Sequence, residues 1–217
     1  MRDLALGKEL KEKGYMSLSS DAEMSMLEVA QTIGKVFRVP TMPLVQTLTP
    51  RQKKNELENT YSGNFGLDAF PFHTDLAHWY IPPRYLFLRC AVPAPDVETK
   101  LIDSRDICGD IEASILSRSH FQPRKRLDRA ANLLKVKQGE IFRWDSIFIK
   151  PTNSNAEKLK LKIQDAISSA KYTSLNLDKN GQCLLIDNWR ILHSRSAVST
   201  KSMDRKIERV YFDEVMI

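Results

Sequence analysis

The segment from residue 66 to residue 90 constrains the fold and the chemistry of this chain more than any other part. It contains His73 and Asp75, separated by one residue, and then the apolar run 85–88, which is typical of a buried strand. Residues i and i+2 of an extended segment point to the same side. The sequence therefore predicts that one imidazole and one carboxylate project together into the space which that side encloses. His78, at odd spacing from His73, is expected at the rim of that space or on the surface.

A third metal ligand is offered by His193, at the end of a second apolar run, residues 183–193. Two histidines and one carboxylate on one face of a metal ion leave the opposite positions open, which is the arrangement of non-haem Fe(II) oxygenases. A His-x-Asp pair by itself occurs by chance in many chains, and its meaning depends on the surrounding motifs.

Short strand-like runs separated by turns, with a few helices, predict a double-sheet jelly roll braced by helices on one side. The predicted strands span residues 44–48, 85–88, 97–103, 141–149, 173–177, 183–186 and 205–212. The predicted helices span residues 21–37, 111–116 and 154–172, the first beginning at a capping-box pattern, Ser20 to Glu23. The Asn-Gly pair within residues 178–181 predicts a hairpin turn. Residues 1–16 predict no regular element.

Several separate stretches, in the right order, resemble the TauD/TfdA-like family of Fe(II)- and 2-oxoglutarate-dependent dioxygenases. They are the pair His73 and Asp75, Thr99 and Asp103 in the following strand, the tetrapeptide Leu-His-Ser-Arg at 192–195, and the pair Arg205 and Arg209. The resemblance runs from about residue 44 to residue 212 and is weakest between residues 104 and 171. The chain departs from the family pattern in lacking glycines before Thr99 and in having Ser194 where the family often has glycine.

The resemblance implies a mainly β fold with flanking helices around a double-stranded β-helix, the jelly-roll core of cupin-like proteins. It implies that His73, Asp75 and His193 are the catalytic metal ligands, and that Fe(II), 2-oxoglutarate and O2 are the cofactor and cosubstrates. Thr99, Arg205 and Arg209 are then candidate cosubstrate contacts. Arg205 is the candidate for the distal carboxylate, because a guanidinium offers two parallel donors. Arg209 would contact the cosubstrate from the other side or the molecule that is oxidised.

Arg195 could pair with Asp187 or with a substrate carboxylate, and of these the structural pairing is favoured.

The family resemblance further implies an oxidoreductase that hydroxylates an unactivated C–H bond of a small, carboxylate-bearing molecule. The retained Asp75 disfavours halogenation, since halogenating relatives have a small residue at this position. Desaturation and ring formation, as in secondary metabolism, stay open. Two readings from other classes are a zinc hydrolase built on the same three ligands and a non-catalytic binding protein that uses a basic insert.

Length and composition place the chain among ordinary globular proteins. Its 217 residues predict one domain, residues 1–217, with a variable lid or insert at about residues 104–140. The three cysteines have no zinc-finger or CxxC spacing. The N-terminal segment lacks the apolar core of a signal peptide, and no run approaches the length of a membrane span. We therefore expect a cytoplasmic protein that has no membrane association.

The net charge of +6 is concentrated in one segment. Residues 118–137 contain seven basic residues and one acidic residue, which already accounts for +6. Between residues 124 and 137 no aromatic residue is interleaved for base stacking, and no DNA-binding motif is present. Nucleic acid is therefore disfavoured as a partner. The segment is either a solvated face or a steering patch for an anionic substrate or an acidic carrier protein.

Overall fold

The computed structural model describes residues 2–40, 42–58, 60–125 and 133–216, and its core is a pair of antiparallel β-sheets. The strands are β1 (Tyr15–Ser19), β2 (Gly34–Phe37), β3 (Gln46–Leu48), β4 (Phe70–His73), β5 (Tyr85–Val92), β6 (Glu98–Asp103), β7 (Phe121–Pro123), β8 (Lys137–Gln138), β9 (Ile141–Phe142), β10 (Ile149–Pro151), β11 (Thr173–Asn176), β12 (Gln182–Asp187), β13 (Ile191–Arg195) and β14 (Lys206–Val215). The α-helices are α1 (Arg2–Lys13), α2 (Met26–Ile33), α3 (Tyr61–Phe65), α4 (Ser104–Cys108), α5 (Ala113–Arg118) and α6 (Ser154–Ser169), and 3-10 turns lie at Lys53–Asn55 and Thr200–Ser202. Among these described residues, no helix is both long and apolar enough to cross a membrane.

The larger sheet has the order β1-β12-β5-β14-β2, with β3 also paired to β14, and the smaller sheet has the order β11-β6-β13-β4. Leu86, Leu88, Leu184 and Ile186 of the larger sheet share one buried cluster with Leu101 of the smaller sheet. The alternation of side chains along each strand sends the other apolar set outward, where it must be covered. The jelly-roll prediction is confirmed.

Helices cover both outer faces of the sandwich, whereas the sequence predicted helices on one side. Leu10 of α1 and the buried face of α2 pack against Phe87 and Phe212 of the larger sheet. Leu159 and Ile163 of α6 form a second cluster on the smaller sheet. Each sheet therefore has an apolar outer face that requires its own helix.

The predicted helix 21–37 is wrong in its start and its length. The capping box forms five residues later, between Ser25 and Glu28. Helix α2 then ends at Ile33, before the chain enters β2. Both Ser-x-x-Glu patterns satisfy the local rule. The later one places Met26, Val29 and Ile33 on the buried face, so tertiary packing decides between them.

The turn at residues 178–181 has the expected chemistry but does not close a hairpin. Gly181 has a φ of +80°, which favours glycine. The flanking strands β11 and β12 lie in different sheets, so the turn carries the chain from one sheet to the other. Residues 2–13, for which no element was predicted, form α1, supported by an ion pair between Glu9 and Lys13 at 2.9 Å.

Candidate metal centre

Three of the predicted site residues meet where β4 and β13 pair. The register of these strands places His193 directly opposite His73, and Asp75 follows β4 by two residues. Asp75 Oδ1 lies 3.4 Å from His73 Nε2 and 3.4 Å from His193 Nε2. All three side chains are buried, with 6 to 8% of each residue exposed. The structure thus brings together residues that are 120 positions apart in the chain.

These three donor atoms fit a divalent metal ion. An ion about 2.1 Å from each of three ligands at right angles separates the ligand atoms by about 3 Å, close to the spacing here. His73 Nδ1 lies 2.8 Å from the carbonyl oxygen of Pro71, which assigns the proton to Nδ1 and leaves Nε2 free as a ligand. His193 Nδ1 has no hydrogen-bond partner among the described residues.

Asp75 is held so that only one carboxylate oxygen remains available. Its Oδ2 accepts hydrogen bonds from Tyr211 Oη at 2.7 Å and from Arg209 Nη1 at 2.9 Å. Arg209 is fixed in turn by Gln46, whose Oε1 accepts from Nε and Nη2. Because Oδ2 is engaged, Oδ1 is the oxygen that faces the two imidazoles.

The pKa shifts of Asp75 and His193 suit metal binding, and that of His73 has the opposite sign. Burial raises the pKa of Asp75, but Arg209 and the two imidazoles outweigh burial and hold the pKa well below its usual range, so the carboxylate stays ionised. Burial and the neighbouring His73 lower the pKa of His193, which favours a neutral imidazole. Burial also lowers the pKa of His73, but the Asp75 carboxylate reverses the shift and leaves the pKa raised.

Asn188, which the sequence reasoning did not identify as a site residue, clamps the backbone of Asp75. Its Oδ1 accepts from Asp75 N at 2.7 Å, and its Nδ2 donates to the carbonyl oxygens of Asp75 and Pro83, each at 3.0 Å. The side chain is fully buried. No local pattern could have revealed this contact, because Asn188 and Asp75 are 113 residues apart.

We expect Asn188→Ala to destabilise the protein and weaken metal binding together. The change leaves three buried backbone groups unpaired, which costs about 3 kcal/mol or more in the free energy of unfolding. Loosening of the Asp75 backbone should also lower the affinity for a divalent metal by about 10- to 100-fold. Urea denaturation in EDTA and a metal titration measure the two effects. Asn180→Ala, at an exposed position, is the matched control, and equal behaviour of the two variants would refute the role of Asn188.

A turn at residues 145–148 supports the centre through Tyr61, although the sequence predicted that these residues lie within a strand. Only the ends of the predicted strand 141–149 are extended, as β9 and β10, because Asp145 Oδ1 accepts from the backbone N–H groups of Ile147 and Phe148. Asp145 Oδ2 accepts from Tyr61 Oη at 2.8 Å. The Tyr61 ring stacks on the His73 imidazole, with 4.2 Å between ring centroids. This turn therefore fixes the ring that packs on one metal ligand.

The open side of the centre faces a cavity of about 350 Å³, called here the first cavity. The three predicted cosubstrate residues, Thr99, Arg205 and Arg209, line it together with the three candidate metal ligands. Arg205 is buried, its Nε has no hydrogen-bond partner, and no ion pair to it exists among the described residues. Burial lowers the pKa of Arg205. Of the two arginines, Arg205 is thus the unpaired one, and Arg209 is already bound to Asp75.

Arg195 also lines the first cavity, but its partners are structural. It donates to the carbonyl oxygens of Gly66 and Asp68 and lies over the Phe70 ring, 3.8 Å from the ring centroid. The suggested pairing with Asp187 is wrong. Arg84 is the cation near Asp187, at 3.8 Å.

A second cavity of about 260 Å³ adjoins the first. Tyr61, Asp75 and Arg209 line both cavities. His78 lines the second cavity, and so do the exposed residues Arg124 and Lys125 of the basic segment. The part of that segment from residue 126 to residue 132 lies outside the described residues.

The fold is similar to that of several solved proteins, among them two oxygenases. Asparagine oxygenase superimposes with a TM-score of 0.75 at 18% identity, over 97% of this chain and 77% of that one. The non-haem iron oxygenase OrfP, in complex with Fe and α-ketoglutaric acid, gives 0.70 at 19% identity, over 98% and 80%. The PvcB protein from Pseudomonas aeruginosa gives 0.64 at 15% identity, over 96% and 79%.

A comparison with protein-family models finds no match, and neither does one with curated protein sequences. The likeness is therefore one of fold at low sequence identity. The chain has the jelly-roll architecture that asparagine oxygenase and OrfP share.

Proposed function

We propose that this protein is a non-haem Fe(II)- and 2-oxoglutarate-dependent dioxygenase that hydroxylates an unactivated C–H bond of a small, carboxylate-bearing molecule. One observation carries the proposal: three buried ligand atoms converge beside a cavity that also contains the buried guanidinium of Arg205, which forms no ion pair with any described residue. A metal centre alone has no need of such a guanidinium. A dicarboxylic cosubstrate needs both.

The residues present support the following division of roles in this reaction. His73, Asp75 and His193 would hold the ion on one face and leave the first cavity to the cosubstrate and O2. Bound Fe(II) would supply the oxidising chemistry, in which 2-oxoglutarate and O2 give succinate and CO2 and one oxygen atom enters the substrate C–H bond. Arg205 would bind the distal carboxylate of 2-oxoglutarate, with Thr99 as a further contact.

Arg209 has fewer N–H donors available for the cosubstrate than an arginine without partners would have. It donates to Asp75 and to Gln46, so most of its donors are engaged before any ligand binds. We propose that it orients the carboxylate ligand and offers its remaining N–H groups to the cosubstrate or the substrate.

The similar solved structures support this proposal through the ligands that they contain. Asparagine oxygenase has been solved with Fe(II), 3-hydroxyasparagine and succinate, and OrfP with Fe and α-ketoglutaric acid. OrfP has also been solved with Fe, succinate and (3S)-hydroxy-L-Arg, so both proteins bind an amino-acid product. A small amino acid is accordingly the first substrate class to test here. A zinc hydrolase built on the same three ligands would not explain why Arg205 is buried without an ion-pair partner among the described residues. Desaturation or ring formation would use the same residues, and the products distinguish them.

The test begins with the protein under anaerobic conditions. We expect Fe(II) plus 2-oxoglutarate to give a weak visible charge-transfer band that neither component gives alone, and we expect His73→Ala to lose it. Succinate release in air is then screened against amino acids and other small acids, with products identified by mass. A gain of one oxygen atom indicates hydroxylation, and a loss of two hydrogens indicates desaturation or ring formation. The absence of the band in the folded wild-type protein would refute the proposal.

A further inference from the structure

The second cavity contains a buried carboxylate that forms no ion pair with any residue the structure describes. Asp145 is 2% exposed and lines the cavity. It accepts three hydrogen bonds, from Tyr61 Oη and from the backbone N–H groups of Ile147 and Phe148. Among the described residues, no lysine, arginine or histidine forms an ion pair with it. Hydrogen bonds occupy most of its acceptor sites, but none of the described lysine, arginine or histidine side chains contacts it.

The arginine and lysine residues that line the cavity either are hydrogen-bonded elsewhere or are exposed at the surface. Arg209 donates to Asp75 and Gln46. Arg124 and Lys125 are exposed residues that line the same cavity. Burial lowers the pKa of His78 and opposes its charging, although Asp145 acts in the other direction. A buried ionised carboxylate is costly unless a cation accompanies it.

The rest of the lining also favours a cation. An ionised carboxylate has about four acceptor sites, so Asp145 Oδ2 retains one after its bond to Tyr61. The aromatic rings of Tyr61 and Phe148 both line the cavity, and their centroids are 5.2 Å apart in an edge arrangement. Aromatic faces attract ammonium and guanidinium groups. Leu76 provides an apolar wall that could cover a short alkyl chain.

We propose that the second cavity binds the molecule to be oxidised through a cationic N–H group, an ammonium or a guanidinium, which Asp145 receives. Asp145 is thus a specificity-determining residue. This inference rests on the proposed function, because it assigns the first cavity to the cosubstrate and the second to the substrate. A merely structural Asp145 would serve only to hold Tyr61 against His73.

The test compares matched ligands by calorimetry on the full chain, loaded anaerobically with Fe(II) and 2-oxoglutarate. The pairs are L-arginine against L-citrulline, L-lysine against L-norleucine, and L-norleucine against 2-hydroxyhexanoate. The first two pairs remove a side-chain cation, and the third removes the α-ammonium group. We expect the cationic member of at least one pair to bind about tenfold tighter or more, since charge-assisted hydrogen bonds are about twice as strong as neutral ones.

Two variants separate the roles of Asp145. Asp145→Asn keeps an acceptor for the turn but removes the charge, and we expect it to abolish the preference. Tyr61→Phe removes the hydroxyl but keeps the carboxylate, and we expect it to retain the preference.

The outcomes distinguish this inference from the proposed function. The charge-transfer band is measured first, and its absence would refute the proposed function. A normal band with no cation preference in any pair overturns this inference alone, and this wild-type comparison stands even where Asp145→Asn does not fold. A preference that survives in Asp145→Asn, or a loss of preference that is equal in Asp145→Asn and Tyr61→Phe, also overturns it.

Discussion

Arg205→Ala is expected to raise the KM for 2-oxoglutarate by about 100-fold or more, while the metal stays bound. Removing one partner of a buried, hydrogen-bonded charge pair costs about 2–5 kcal/mol, and each 1.4 kcal/mol is a factor of ten. Arg205 is buried in the first cavity without an ion-pair partner among the described residues, so an incoming carboxylate is its natural counter-charge. Cosubstrate titration of the charge-transfer band measures the affinity directly.

Two variants control this prediction. Arg205→Lys keeps the charge but loses the two parallel donors, and it should fall between the wild type and Arg205→Ala. Arg51→Ala removes a cation from the same cavity, but Arg51 is 54% exposed and paired with Glu56, so a small effect is expected. An unchanged affinity for 2-oxoglutarate in Arg205→Ala would assign the cosubstrate to another residue.

Asp75→Ala should abolish Fe(II) binding and also destabilise the protein. The variant loses one of three metal ligands, and it leaves Arg209 and Tyr211 without their shared acceptor. Breaking a buried ion pair by removing one partner costs about 3–5 kcal/mol. Urea denaturation in EDTA isolates this loss from the stabilisation that the metal itself provides.

A second substitution separates the two effects of Asp75→Ala. Adding Arg209→Met removes the orphaned charge, so the double variant should recover part of the lost stability. It should still bind no Fe(II), because the carboxylate ligand is absent. Recovery of metal binding in the double variant would contradict the assignment of Asp75 as a ligand, and equal stability of the single and double variants would contradict the ion-pair argument.

Much of the candidate site could be predicted from the sequence alone, because the chemistry depends on residue type and short spacing. The i, i+2 relation of His73 and Asp75 follows from strand geometry, and the structure places both side chains at one centre. The amphipathic pattern of α6 similarly predicted a helix, which ends at Ser169 rather than at residue 172. The candidate cosubstrate residues were identified by family resemblance, and all of them line one cavity.

The contacts that hold the site residues in place could be identified only from the tertiary structure. Asn188 and Tyr211 bind Asp75 across 113 and 136 residues, and the register that sets His193 opposite His73 joins distant strands. Local propensity does not specify such partners, because sheet register is set by the packing of whole faces. The same holds for residues 141–149, which have a strand-like sequence. There the carboxylate of Asp145 binds backbone N–H groups and turns the chain, so the cavity wall depends on one side chain that no periodicity could reveal.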